Sequence, residues 1–449
     1  MSKVKGLSEL DIGKMVVDFP SILQSQIFTY LYQISNPHSQ IRNRHSIFVF
    51  MKTLFQKIGP GLLVAAAGIG AGDMIISIQT GLEFRWIYPL VVILACVLKY
   101  TITEGIAKHQ LASGKSLIER WNMIMPLWAR LLFMAFFIIW SYMVGAALIS
   151  TTGLAASTIF TGLSKEWWAV LSSLLAFALV FIGKYDLIEK LTTTLILLMF
   201  GILVPAAVYY LIADKITPVT ENQYEPLTLI MSMLGGVGGS VTMLSYSYWA
   251  SEKKWSEEEG IQKSRTDLRL SYFITGIFIL SLMCITFKMQ KTGELKSGTD
   301  LILGLASAFE RLYGEGGEIL LKVCFWGVAF SSLLAVWSGV PYLFEDFLNG
   351  LKTGSNTSEP SRTSKTYRLF LAFLTLVPLA TAIFQSAIKS VINYTLISSF
   401  FVLGISLSLL VMNNNKSWMG KWTNTTANKI ILSLSLVVFG GLLIWQLLK

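Results

Sequence analysis

Polar residues in this chain come in short bursts, and the stretches between them stay apolar for about twenty residues at a time. A helix of that length crosses the roughly 30 Å hydrocarbon layer of a bilayer, so each stretch predicts a membrane span. Eleven spans are expected: 55–83, 86–110, 127–160, 166–183, 188–213, 226–250, 268–289, 318–348, 367–385, 388–412 and 428–448. The third and eighth are long enough to tilt or to extend past the bilayer. A membrane barrel would instead alternate in strands of about ten residues. The pattern predicts an all-α polytopic membrane protein.

Composition sharpens this. The chain is 53% hydrophobic and 14% charged, against roughly 25% charged for soluble domains, and its mean hydropathy is +0.61. The net charge of +10 would suit a nucleic-acid partner if the basic residues formed one patch, but they fall between the spans and report topology instead. With the N-terminus in the cytoplasm, the inner segments hold 26 Lys and Arg and the outer segments 9, as the positive-inside rule requires. Lys99 is counted here as an inner flanking residue. An odd number of spans then puts the C-terminus outside. Cys96, Cys284 and Cys324 lie in apolar runs with no metal-finger spacing. There is no P-loop, no HExxH and no nucleophile–base constellation, so an enzyme is not expected, and no resident cofactor is implied. The expected partners are the lipid bilayer and a transported solute, with no nucleic acid, and the expected state is a monomer in the cell membrane.

Residues 1–50 differ from the rest in being polar and mixed, and "MKTLFQKIGPG" from Met51 reads as a fresh start: a Met, a basic flank, then the first span. The segment is expected to be a cytoplasmic tail or an over-extended gene start. Val16–Leu31 has the amphipathic character of a surface-lying helix.

Two spans are interrupted where a membrane helix should be most regular. The first carries "AAAGIGAGD" at 65–73, and the sixth carries "LGGVGGSVTMLS" at 234–245, about 170 residues later. Paired Gly-rich breaks at corresponding places in two halves point to an inverted-repeat transporter with its binding site at the midplane. Glycine tolerates the backbone angles an unwound segment needs. Unwinding frees carbonyls that need a partner inside the bilayer, and a bound cation is one such partner. Close helix packing on the small residues is the competing reading. Asp73 adds charge at the first break, where a carboxylate costs roughly 2.5–3.5 kcal/mol on insertion scales and so marks function by default. No Lys or Arg lies in the first span or in the middle of the sixth, which argues against a structural ion pair. Met243 offers a soft thioether, which favours transition metals, although a methionine in an apolar helix commonly just packs.

Several segments taken in order resemble the Nramp family of divalent-metal transporters. They are "IGPGLLVAAAGIGAGDMIISIQTG" (58–81), "HQLASGKSLIE" (109–119), "YDLIEKL" (185–191), "GGSVTMLSYSYW" (238–249), "FSSLLAVWSGVPYLFEDFL" (330–348) and "NNNKSWMGKW" (413–422). The resemblance implies the LeuT-like fold of the APC superfamily: five plus five helices as inverted repeats, with one helix added. It divides the chain into 51–213, 226–412 and a final helix at 428–448. It departs at the functional motifs. The family's DPGN is here Gly70-Ala71-Gly72-Asp73, so the carboxylate falls three residues late, and MPH is here Met243-Leu244-Ser245, with no histidine. By resemblance, the metal shell is Asp73, Met243, the backbone of Gly70, and the carbonyls of Ala67 and Ser240. The family holds acids in its third helix that move protons, whereas Leu127–Gly162 has neither Asp nor Glu. Glu104, near the inner end of the second span, is the nearest acid and reads as a solvated helix end. His38, His45 and His109 all fall at or beyond the cytoplasmic face.

Two functions are carried forward. One is a secondary transporter of divalent cations such as Mn²⁺ or Fe²⁺, with the metal as cargo and H⁺ or Na⁺ as coupling ion. The other is a Na⁺-coupled symporter of a small organic cation or amino acid, in which Asp73 pairs an amine. There Ser331 and Ser332 suit a Na⁺ site, Gln79, Thr242 and Ser245 support the site, and Tyr246, Tyr248 and Trp249 contact the ligand by cation–π.

Overall fold

The computed structural model describes residues 63–64, 69–183, 185–213, 225–253, 255, 257–289, 298–353 and 360–448. The tail 1–50, its surface-helix expectation and the Met51 start lie outside the described residues, as does Ala67.

Helices α1 (Ala71–Leu82), α2 (Ile87–Ser113), α3 (Leu117–Ile124), α4 (Leu127–Ile159), α5 (Lys165–Ile182) and α6 (Tyr185–Ala213) make up the first half. The second half begins with α7 (Pro226–Gly236), a 3-10 turn (Val241–Leu244) and α8 (Ser245–Glu252). It continues with α9 (Glu257–Met289), α10 (Gly298–Tyr313), α11 (Glu315–Thr353), α12 (Lys365–Leu376), α13 (Leu379–Phe384) and α14 (Ala387–Met412). Short α15 (Lys416–Met419) and α16 (Thr426–Leu448) close the chain. Among the described residues, ten segments are long and apolar enough to span, and they coincide with the second to eleventh expected spans. This is an integral, multi-pass membrane protein. Of the expected first span, the described part is helical at Leu63 and Val64 and again over Ala71–Leu82. The long third and eighth spans reach 33 and 39 residues.

The burial pattern follows from the solvent. On α2, Leu90, Ile93 and Val97 face outward while Val92, Ala95, Leu98, Lys99, Ile102 and Ile106 face inward. Large apolar side chains therefore meet lipid on one stripe and protein on the other. Trp86, Trp128 and Trp167 are exposed at helix ends, the level at which amphipathic aromatic rings settle in a bilayer.

Two segments expected to be loops are helical. The polar stretch 257–267 extends the seventh span into α9, supported by Lys263–Glu259 (2.6 Å) one turn apart and by Arg265–Glu104 (2.9 Å). Between the seventh and eighth spans, α10 buries Ile302, Leu305, Ala306 and Phe309 and leaves Leu303 outward. That i, i+3, i+4, i+7 spacing is an amphipathic helix too polar to span. The ninth expected span is two helices, α12 and α13, hinged at Val377 and Pro378.

Close helix contacts sit on small residues, as expected where lipid tails give no hydrophobic drive for association. A Cβ built at Gly153 of α4 would lie 2.6 Å from the Ala169 Cα of α5. Gly153→Leu is therefore expected to force α4 and α5 apart and cost about 1–3 kcal/mol or more, read as a lower thermal midpoint of the purified protein. Gly441→Ala, which meets nothing within 4 Å, should leave the midpoint in place.

Candidate functional site

The described part of the first span meets the sixth at the break in the sixth. Gly70 caps the N-terminus of α1 in an extended conformation, and its carbonyl accepts Met74 N–H at 3.0 Å. One turn into α1, Asp73 is 1% exposed. Its Oδ2 accepts the N–H of Gly238 at 3.3 Å, and its Oδ1 has no hydrogen-bond partner among the described residues. Ser77 donates to the Asp73 carbonyl one turn on. The break in the sixth span is a tight reversal at Gly238 and Gly239, both left-handed, with φ of 69° and 87°. Such angles cost an L-residue roughly 1–2 kcal/mol, which is why glycine stands at both positions.

Several of the backbone groups freed by this reversal find protein partners. Gly239 N–H donates to the Gly236 carbonyl at 3.0 Å. The Tyr272 hydroxyl of α9 donates to the Gly238 carbonyl at 3.1 Å and pairs with Thr103 Oγ1 at 2.8 Å. Lys99, fully buried and halfway along α2, donates to the Gly235 carbonyl at 2.9 Å and also to the Gly239 carbonyl. Lys99 and Asp73 act on one another electrostatically without a direct ion pair. The glycines also admit neighbours. Side chains at Gly235 and Gly236 would strike Thr395 of α14, one at Gly72 would strike the Tyr394 hydroxyl, and one at Gly238 would meet the Tyr272 ring.

Two expectations are corrected here. The Gly235 and Gly239 carbonyls, which are not the expected donors Ala67 and Ser240, are reached by an ammonium of the chain itself. The charge partner that the first and sixth spans lack comes from the second. Lys99 is not a cytoplasmic flank, since it is buried in the middle of a 27-residue helix. Its signal was a lone lysine on the inward stripe of Val92, Ala95, Ile102 and Ile106.

The remaining candidates are placed as follows. Met243 is fully buried on the 3-10 turn, with its Cγ 3.9 Å from where a Gly239 Cβ would lie. The Ser240 carbonyl accepts Met243 N–H at 3.1 Å. Thr242 Oγ1 accepts Ser240 N–H at 3.4 Å. Gln79 is buried near the end of α1. Ser245 Oγ is buried without a hydrogen-bond partner among the described residues and faces Gly339 of α11. Ser331 donates to Val328 of its own helix at 2.8 Å, and Ser332 is buried beside it. Tyr246 donates to Asp267 at 3.1 Å, and Tyr248 donates to Asp346, so both hydroxyls are bound to carboxylates. Among the described residues, no group of three His, Cys, Asp or Glu side chains could hold a metal.

In the C-terminal half of α2, Glu104 is not a solvated helix end. It is 4% exposed and takes Arg265 at 2.9 Å, Lys108 at 3.6 Å and Asn428 at 3.4 Å. His109 pairs with Asn413 at 2.8 Å, and Asn413 donates to the Gly105 carbonyl at 2.9 Å. Thus Asn413, at the start of "NNNKSWMGKW", ties the end of the tenth span to the second.

A sixth span broken at Gly238 and Gly239 and set against Asp73 of the first, inside a bundle of membrane-crossing helices, is the arrangement of a LeuT-like membrane protein. A family model described as "Natural resistance-associated macrophage protein-like" matches residues 61–449, and the chain belongs to the Nramp family. It is 23% identical over 367 residues to an uncharacterized protein of Pasteurella multocida (strain Pm70), covering 77% of this chain and 82% of that one. The solved Eremococcus coleocola manganese transporter superposes with a TM-score of 0.68 at 16% identity, over 88% of this chain and 86% of that one. MhsT in complex with L-phenylalanine superposes at 0.60 and 14% identity, over 86% and 98%. These likenesses show the fold.

The Tyr272 hydroxyl holds the reversal in place. Tyr272→Phe is expected to leave the Gly238 carbonyl unpaired and to cost about 1–3 kcal/mol, measured as a lower thermal midpoint. An unchanged midpoint would assign that carbonyl another partner.

Proposed function

We propose that this chain is a secondary-active transporter of divalent metal cations of the Mn²⁺ or Fe²⁺ kind, working by alternating access around the two breaks. The observation that carries this reading is Asp73: a buried carboxylate, held to the opposite break by Gly238, with one oxygen free of protein hydrogen bonds among the described residues. Membership of the Nramp family supports it, and a manganese transporter of the same fold supports it further. In this reading Asp73 gives the cargo a hard oxygen and Met243 a soft sulfur. The carbonyls of Ala67, Gly70 and Ser240 are the remaining candidate donors. That mixture favours Mn²⁺ or Fe²⁺ over Mg²⁺. With one carboxylate and the Lys99 charge nearby, affinity is modest. The third span, α4, has no acid to relay protons, so coupling to H⁺ or Na⁺ uses other groups. We further assign the repeats as 51–213 and 226–412, with 428–448 added, in a monomer of the cell membrane whose N-terminus is cytoplasmic.

One observation favours a second cargo. Asp73 and Lys99 present opposite charges to the same break, an arrangement suited to an amino acid, and MhsT with L-phenylalanine shares the fold. Gln79, Thr242, Ser245, Ser331 and Ser332 would then line or support the site.

Isothermal titration of the purified protein with Mn²⁺, Mg²⁺ and Na⁺ separates the two. Saturable Mn²⁺ binding is expected, abolished in Asp73→Asn and weakened in Met243→Ala about tenfold or more, the range typical of disturbing a metal's immediate surroundings. Folded protein that binds no divalent ion would transfer the assignment to the organic solute.

A further inference from the structure

We propose that Lys99 is a tethered monovalent cation, seated where the unwound sixth span would otherwise bind a small inorganic cation. The seat is defined by the Gly235 and Gly239 carbonyls. Its occupant is fully buried, so no bulk ion exchanges with it while the ammonium is in place. Three other freed groups of the reversal are committed elsewhere: Gly236 O to Gly239 N–H, Gly238 O to Tyr272, and Gly238 N–H to Asp73. The Gly235 and Gly239 carbonyls are the part of the break that a cation of the chain occupies. A carbonyl pair beside a buried carboxylate is hard-oxygen chemistry, of the kind that takes Na⁺, K⁺ or NH₄⁺. A lysine ammonium is a compact point charge with three donors on a flexible stem, so it can serve this seat from a neighbouring helix.

Two consequences follow. With the seat filled from within, the protein needs no soluble monovalent ion there. Once the ammonium is removed, the seat becomes a site for a small monovalent cation. Neither depends on what the cargo is, and the test uses no divalent metal, so it can fail while the transport assignment stands, and the reverse.

The test compares full-length wild type, Lys99→Ala and Lys99→Met in detergent. Thermal unfolding is followed in choline chloride, NaCl, KCl and NH₄Cl at one ionic strength. Wild type should unfold at one temperature in choline chloride, KCl and NH₄Cl. Lys99→Ala should unfold lowest in choline chloride and rise saturably by roughly 3–5 °C in at least one small-cation salt. Lys99→Met fills the same space without charge and should stay low in every salt. If Lys99→Ala yields folded protein only when purified with a small cation, that also supports the proposal. It is overturned if no small cation stabilises or recovers Lys99→Ala, or if Lys99→Met matches wild type.

Discussion

A helix broken inside a bilayer frees backbone groups where no water can take them, and each would cost several kilocalories if left alone. In this protein the cost at Gly235–Gly239 is met from three directions: an ammonium from α2, a phenol from α9 and a carboxylate from α1. The helix break and the three helices around it are therefore one unit. Remove the ammonium, and the Gly235 and Gly239 carbonyls lose their donor, at about 1–3 kcal/mol for a buried acceptor left unsatisfied. Remove the glycines, and the neighbours that approach through them, Thr395, Tyr394 and Tyr272, lose their room.

The C-terminal half of α2 repeats this logic with ordinary ion pairs. Glu104 gathers Arg265 from α9, Lys108 from its own helix and Asn428 from α16. Asn413 joins α14 to α2 through His109 and the Gly105 carbonyl. A second cluster centres on Asp346 of α11, which takes hydroxyls from Ser116 (2.6 Å) and Tyr248. The second span thus touches both the central break and the Glu104 and Asn413 ties, and that double duty explains why two lysines, Lys99 and Lys108, lie buried along it.

Much of this was legible in the sequence because hydrocarbon imposes one simple rule: apolar runs of a fixed length. Ten spans and the Gly break of the sixth span follow from that rule and from the conformational range of glycine, and Asp73 from the cost of a carboxylate in hydrocarbon. α10 was missed because it is amphipathic and lies between spans, although Ile302, Leu305, Ala306 and Phe309 carry the helical spacing. Lys99 was missed for a different reason. Near a span end, one lysine reads as a flank, and only the partner it reaches, a carbonyl 136 positions away in the chain, reveals the role. Glu104 was misread likewise, because Arg265 lies on a helix whose first turns looked like loop.

Asp73 and Lys99 also fix how the protein meets the membrane's electric field. Each elementary charge carried through the field is worth about 2.3 kcal/mol per 100 mV. The carboxylate and the ammonium belong to the same chain, and their charges sum to zero. Where the two move together, this pair does no electrical work. A membrane potential acts on the pair only through displacement of one charge relative to the other along the field.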